Sequence, residues 1–172
     1  LDGPLEISSK TDVVVVNHNA DLEIDAGTIA MSFIADKTWG MQGLLSKDAK
    51  GYAGGGNHFV AYLRGDDLHV RFQSEDDSQE FVARNAIESG TEHDLVATFG
   101  DGEVGVYLDG ALIGSAAFEM DWQENDQQMQ VGGNGWASSS GSSSFSQQFD
   151  GTISNVAIYD SVVPSDQFEL LL

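Results

Sequence analysis

Residues 118–124 read FEMDWQE and place Glu119, Asp121 and Glu124 in the order E-x-D-x-x-E. Paired carboxylates do the work of glycoside hydrolysis: one attacks the sugar or activates water while the other donates a proton. The retaining route needs the two about 5–5.5 Å apart. Alternate residues of a strand point to one face, so Glu119 and Asp121 would share a face if this stretch were extended in a sheet. However, NDQQ follows at once and reads as loop. Acid-rich chains also produce such spacings by chance. The competing reading is a solvated acidic loop.

A second chemistry rests on aromatic rings. The three tryptophans, Trp39, Trp122 and Trp136, all fall in segments that read as loops. An indole offers a flat apolar surface on which a sugar ring stacks, and neighbouring amides bond its hydroxyls. Trp136 is the foremost candidate, because small residues surround it. Asn134 stands beside it, Gln42 lies near Trp39, and Asn57 and His58 end a glycine-rich stretch. The alternative is that these rings fold back and plug the core. For a metal, calcium wants six to eight oxygens. Asp21, Asp48 and Asp150 are the candidates, each weighed against a plain turn carboxylate. No D-x-D-x-D-G loop occurs, which excludes an EF-hand. The histidines, His18, His58, His69 and His93, lack zinc-ligand spacing. His69 alternates with Val70 and Phe72 and so faces solvent or a groove. No G-x-S-x-G elbow is present.

Composition narrows the partners. The 172 residues carry 28 acids against 7 bases, a net charge of −21. A phosphate backbone is repelled, which argues against nucleic acid. Such acidity suits a soluble surface in a salty or calcium-rich exterior. No apolar run is long enough to insert into a membrane as a helix. The absence of cysteine rules out disulfides and thiol nucleophiles. The opening LDGPLEI reads as the start of a module cut from a longer protein.

The elements that must position these groups are short strands separated by turn signals. TDVVVVNH, DLEID, TIAMSFIA, GLLSKD, NHFVAYLR, LHVRFQS, QEFVAR, EHDLVATF, EVGVYL, ALIGSAAF, QMQVGG and GTISNVAIYD read as strands. Asp109-Gly110 and Asp101-Gly102 fit two-residue type I′ turns. VPSDQFELLL suits one short helical turn with Ser165 as cap after Pro164. Two segments break the rhythm: the glycine-rich 47–58 and the serine-rich 134–148. The pattern implies an all-β fold, a two-sheet antiparallel jelly-roll sandwich, as one domain over 1–172.

The segments GTIAMSF, GLLSKD, HFVAYLRGDDLHVRF, HDLVATFGDGEVGVYLDGALIGS, QVGGN and FDGTISNVAIYDSVVPSDQFELL together resemble laminin-G-like, concanavalin A-like modules of bacterial secreted proteins. The resemblance runs from about residue 12 to the end. It implies two curved antiparallel sheets and gives His93 a structural place. It leaves the ligand open, because this fold hosts lectins, enzymes, adhesion modules and spacers. Relatives often carry an Asp soon after the closing Gly-x-Ile. Here the run is Ile153-Ser154-Asn155-Val156, which lacks that Asp and weakens the calcium expectation, with Asp150 as the candidate replacement ligand. E-x-D-x-x-E itself resembles the signature of jelly-roll hydrolases related to laminarinases. In those the intervening residues are apolar, and Gln123 departs from that pattern. The expected function is a non-catalytic polysaccharide-binding or adhesion module with calcium as cofactor. It would be extracellular or at the cell surface, with polysaccharide or cell-surface glycan and other domains of a parent protein as partners. The alternatives are a hydrolase using Glu119, Asp121 and Glu124, and a structural or protein-binding spacer.

Overall fold

In the computed structural model, residues 3–48, 57–74, 76–135 and 147–172 are described. Among them, twelve strands pair into two antiparallel six-stranded sheets. The strands are β1 (Leu5–Ile7), β2 (Val14–Val16), β3 (Gly27–Ala35), β4 (Met41–Lys47), β5 (His58–Arg64), β6 (Asp67–Gln73), β7 (Ser78–Ala83), β8 (Glu92–Gly100), β9 (Glu103–Leu108), β10 (Ala111–Ala117), β11 (Met129–Val131) and β12 (Gly151–Tyr159). The first sheet runs β1-β12-β3-β8-β9-β10, and the second runs β2-β11-β4-β5-β6-β7. The chain is the expected all-β jelly-roll sandwich.

Alternation sets the core. Ile29, Met31 and Phe33 of β3 point inward with Leu95, Ala97 and Phe99 of β8, and from the second sheet Phe59, Ala61, Leu63, Leu68, Val70 and Phe72 meet them. β3 and β8 are central, so Ala30 and Val96 on the opposite face are buried too. The hairpin turns form as the sequence implies. Asp109 and Gly110 adopt φ of 51° and 75°, and Asp101 and Gly102 adopt 53° and 77°, the left-handed pair that type I′ requires.

Three readings of local structure change. DLEID is not a strand: Ala20–Leu22 is a 3-10 helix capped by Asn19, whose side chain accepts from Asp21 N at 2.9 Å. The competing Asx cap defeats the strand pattern there. The C-terminal turn is a 3-10 helix, Ser165–Leu170, and its cap residue is Pro164 rather than Ser165. β1 carries too short a pattern to be read from sequence, and it exists because it pairs with β12.

The C-terminal segment covers the outer face of the first sheet. Phe168 packs edge-on to Tyr107 with centroids 4.8 Å apart, over Ala30 and Val96. Thr28 Oγ1 donates to Ser161 O and accepts from Val163 N, both at 2.9 Å.

Candidate functional site

The second sheet presents a different outer face. Its registers align Gly43, Tyr62, His69 and Val82 in one row, Ser46, Val60, Arg71 and Glu80 in the next, and His58, Gln73 and Ser78 beyond. β11 adds Gln130 opposite Ser46. These positions alternate with the core residues, so their side chains point away from the sandwich interior. Polar groups dominate, yet Ser46, His58, His69, Gln73 and Gln130 are all buried.

Among the described residues, the Gly133–Asn134 segment lies across this face. A side chain at Gly43 would come within 2.6–2.8 Å of the Gly133 and Asn134 backbone, so glycine lets that segment lie against β4. Asn134 then donates from Nδ2 to Gln147 Oε1 at 2.9 Å, and Gly135 N reaches Ser46 Oγ at 3.2 Å.

At the centre, Tyr62 and His69 stack with centroids 4.8 Å apart and planes 17° from parallel. Tyr62 OH donates to Glu80 Oε1 at 2.8 Å, and His69 Nδ1 lies 3.2 Å from the same oxygen. Burial, then the Glu80 bond and charge, push the Tyr62 phenol up to about 12, so it stays a donor. A carboxylate can only accept. A neutral His69 therefore carries its proton on Nδ1 and leaves Nε2 as an acceptor. That Nε2 is buried without a hydrogen-bond partner. So are Gln130 Oε1 and His58 Nδ1; the latter sits 3.2 Å from Asp48 Oδ1 but out of line for a bond. Elsewhere among the described residues, His18 Nδ1 and Trp122 Nε1 are also buried and unpaired, in other surroundings. Buried polar atoms are normally satisfied, and each orphan costs about 1–3 kcal/mol.

Behind this face lies a clamp. Lys47 is fully buried, and its Nζ donates to Asn125 O at 2.6 Å, Gln127 O at 3.0 Å and Asn125 Oδ1 at 3.1 Å. It also stands 5.6 Å from the Trp122 ring centroid. Burial lowers the Lys47 ammonium to about 8, with Asp126 and Glu23 pulling the other way. Asn125 Nδ2 donates back to Lys47 O at 3.1 Å and to Asn57 O at 2.6 Å, so one amide ties the end of β4 to the start of β5.

The acidic stretch is neither strand nor merely solvated loop. Phe118, Met120 and Trp122 turn inward, and Trp122 packs on Phe99 and Phe59 at 5.1 and 6.3 Å. Glu119 and Glu124 are exposed, Asp121 is half-buried, and none lies on a strand. Asp121 Oδ1 accepts from Gln123 N at 2.9 Å, a local turn bond. A cavity of about 560 Å³ on the first sheet is lined by Glu92, Asp94, Asp109 and Asn155 among others. Of these, Asp109 bonds to His93 and to Asp94 N, and Asn155 to Ser32.

The sequence from 8 to 167 matches the family model described as the concanavalin A-like lectin/glucanases superfamily. The chain belongs to this superfamily. Among solved structures, this concanavalin A-like chain is similar to the CBM40 of the Ruminococcus gnavus IT-sialidase bound to α2,3-sialyllactose. That pair has a TM-score of 0.69 and 15% identity, over 88% of this chain and 84% of that one. It is also similar to domain 4 of a GH43 extracellular arabinanase from Geobacillus stearothermophilus in complex with arabinotriose. There the TM-score is 0.65 and identity 15%, over 87% and 67% of the two chains. Domains LG4-5 of the mouse laminin α1 chain match with a TM-score of 0.66 and 16% identity, over 92% of this chain and 40% of that one. No curated protein sequence matches the chain.

Within this concanavalin A-like sandwich the expected site residues fall into separate groups. Trp39 is 69% exposed on the rim where β4 begins, with Lys37 Nζ 4.6 Å above its ring. Gln42 is buried beside it, donating to Lys37 O at 2.8 Å and accepting from Asp150 N at 3.1 Å. Asp150 pairs with Lys37 at 2.6 Å. Asn134 lies above Gly43 on the outer face. Asn57, His58 and Asp48 sit at the far end of β4 and β5, where Asp48 meets Arg71 Nη2 at 3.3 Å. Trp136 lies outside the described residues.

Asp21, Asp48 and Asp150 do not fit calcium as one shell. Asp48 and Asp150 stand at opposite ends of β4, roughly 20 Å apart, and each faces a cation. Asp21 is exposed on its 3-10 helix. Among the described residues no three acids, histidines or cysteines converge as a metal site, and no helix is long and apolar enough to cross a membrane. Sequence reasoning missed Tyr62, Arg71, Glu80 and Gln130. The available signal was polar residues recurring at every second position of adjacent strands.

Proposed function

We propose that this chain is a non-catalytic carbohydrate-binding module that holds a glycan against the outer face of the second sheet, with Trp39 as a stacking platform on the rim. The observation that carries the reading is the polar outer face of that sheet, where Tyr62, His69, Arg71 and Glu80 occupy adjacent rows and His69 Nε2 and Gln130 Oε1 have no hydrogen-bond partner among the described residues. A glycan hydroxyl donates and accepts in one group and suits a face of mixed donors and acceptors. Gln130 and His69 are three strands apart in the sheet, roughly 14 Å, which suits an oligosaccharide rather than a single ring. The similarity to a CBM40 and to an arabinanase domain, both solved with sugars bound, supports the reading. A module of this kind would act outside the cell or at its surface.

The test is calorimetric titration with a panel of oligosaccharides and polysaccharides. Saturable binding to at least one member is expected, weakened about tenfold or more in His69→Ala. No binding across the panel by folded protein would leave the spacer or protein-partner reading in front. Since Asp48 and Asp150 already face Arg71 and Lys37, a chelator is expected to leave binding unchanged.

A further inference from the structure

Resting on that reading, we infer that Lys37 and Asp150 are positioning residues for a one-sided stacking platform. They fix the Trp39 indole on the rim and leave a single face of it for a sugar ring. An indole as exposed as Trp39, with nothing to hold it, changes rotamer within picoseconds to nanoseconds. A ligand that stacks on such a ring must first order it, and affinity falls accordingly. Trp39 is held. Lys37 Nζ stands 4.6 Å over its ring centroid, within the distance at which a ring face attracts a cation. The ammonium occupies that face, so a sugar ring can stack only on the other.

Lys37 is fixed in turn. Asp150 Oδ2 lies 2.6 Å from its Nζ. The Asp150 backbone is bonded on both sides: its N donates to Gln42 Oε1 at 3.1 Å, and its O accepts from Asp36 N at 2.9 Å. Gln42 is buried, and its Nε2 donates to Lys37 O at 2.8 Å. One buried amide therefore sets the spacing between the acid and the base. At the other end of the loop, Gly40 O accepts from Gly65 N at 2.8 Å, which pins residues 36–40 to the β5–β6 turn. Order passes from the sheet through Gln42 and Asp150 to Lys37 and so to the indole. The Lys37–Asp150 pair is partly exposed, and such pairs contribute little to global stability. Its effect belongs in ligand affinity rather than in melting.

The experiment changes the pair in three ways. Lys37→Met removes the cation. Lys37→Arg keeps one that can both stack on an indole and bond a carboxylate. Asp150→Asn keeps the Lys37 charge but releases it. Calorimetry measures the affinity for lactose, arabinan and laminarin. The heteronuclear NOE of the Trp39 indole N–H, assigned by its loss in Trp39→Phe, measures fast ring motion. Lys37→Met and Asp150→Asn are each expected to lower that NOE and to weaken binding about three- to tenfold, with the melting midpoint unchanged. Lys37→Arg is expected to retain both. A Lys37 that touched the glycan directly would bind as well or better once released, so undiminished affinity in Asp150→Asn overturns the inference. So does an NOE that does not move in Lys37→Met, or an affinity that holds while the NOE falls. Absence of binding to every glycan by folded wild type, with the NOE falling as expected, overturns the carbohydrate reading and leaves the fixed indole standing.

Discussion

The two outer faces of the sandwich are built from the same kind of strand and finished in different ways. On the first sheet, the C-terminal segment covers part of the surface beside the acidic cavity. Phe168 covers Ala30, Val96 and Tyr107, and the Thr28 hydroxyl is bonded on both sides by the segment that carries it there. On the second sheet, among the described residues, His69 Nε2 and Gln130 Oε1 are buried with no hydrogen-bond partner. The first face spends its chemistry on stability. The second keeps desolvated acceptors that the protein itself does not satisfy. A buried orphan is a standing cost that a ligand can remove, so the contrast separates a structural surface from a receptive one.

The largest expected break in that contrast is Phe168→Ala. It should cost about 3 kcal/mol in urea or thermal denaturation, the usual range for a buried aromatic, and leave glycan affinity unchanged. Loss of affinity with it would mean the two faces are not independent.

Next comes the clamp behind the receptive face. Lys47 has a folded value of about 8 against 10.5 unfolded. Between those values the unfolded chain still holds a proton that the folded chain has released, so stability rises with pH from 8 to 10.5, by about 1–3 kcal/mol. Tyr62 acts in the opposite sense: its value is raised from 10 to about 12, and stability present below pH 10 is lost as pH climbs to 12. Denaturation midpoints should therefore peak near pH 10. Lys47→Met should flatten the rising limb, and Tyr62→Phe the falling one.

Smaller, and opposite in sign to the first, is Gln130→Met. Replacing an unpaired buried carbonyl with a thioether of similar size should stabilise the protein by about 1 kcal/mol while weakening glycan binding. Stabilisation without loss of affinity would remove Gln130 from the site. The smallest change in stability belongs to Trp39→Ala, within about 0.5 kcal/mol because the indole is exposed. Its affinity should still fall, as expected for a stacking platform.

Most of the strands and the hairpins are legible in the residues themselves. TIAMSFIA becomes β3 and HDLVATF becomes β8, and Asp109-Gly110 takes the turn its types demand, because alternation and left-handed φ are local properties. The inward rhythm of Phe118, Met120 and Trp122 is also written in the sequence, but the acids between them mask it. The same limit applies to the site. His58 and Asn134 can be picked out as polar residues near glycine-rich segments. That Asn134 lies over β4, that Trp39 and Asp150 share Lys37, and that Asp48 belongs to Arg71 depend on which strands become neighbours.

The sequence by itself determined the all-β sandwich, its turns and its acidity, since period-two patterning, turn chemistry and charge count need no partner. Only the tertiary structure decided which polar atoms are paired. Satisfaction of a hydrogen bond is a relation between residues brought together across strands, as His69 is to Glu80 or Lys47 to Asn125, and no single residue carries it.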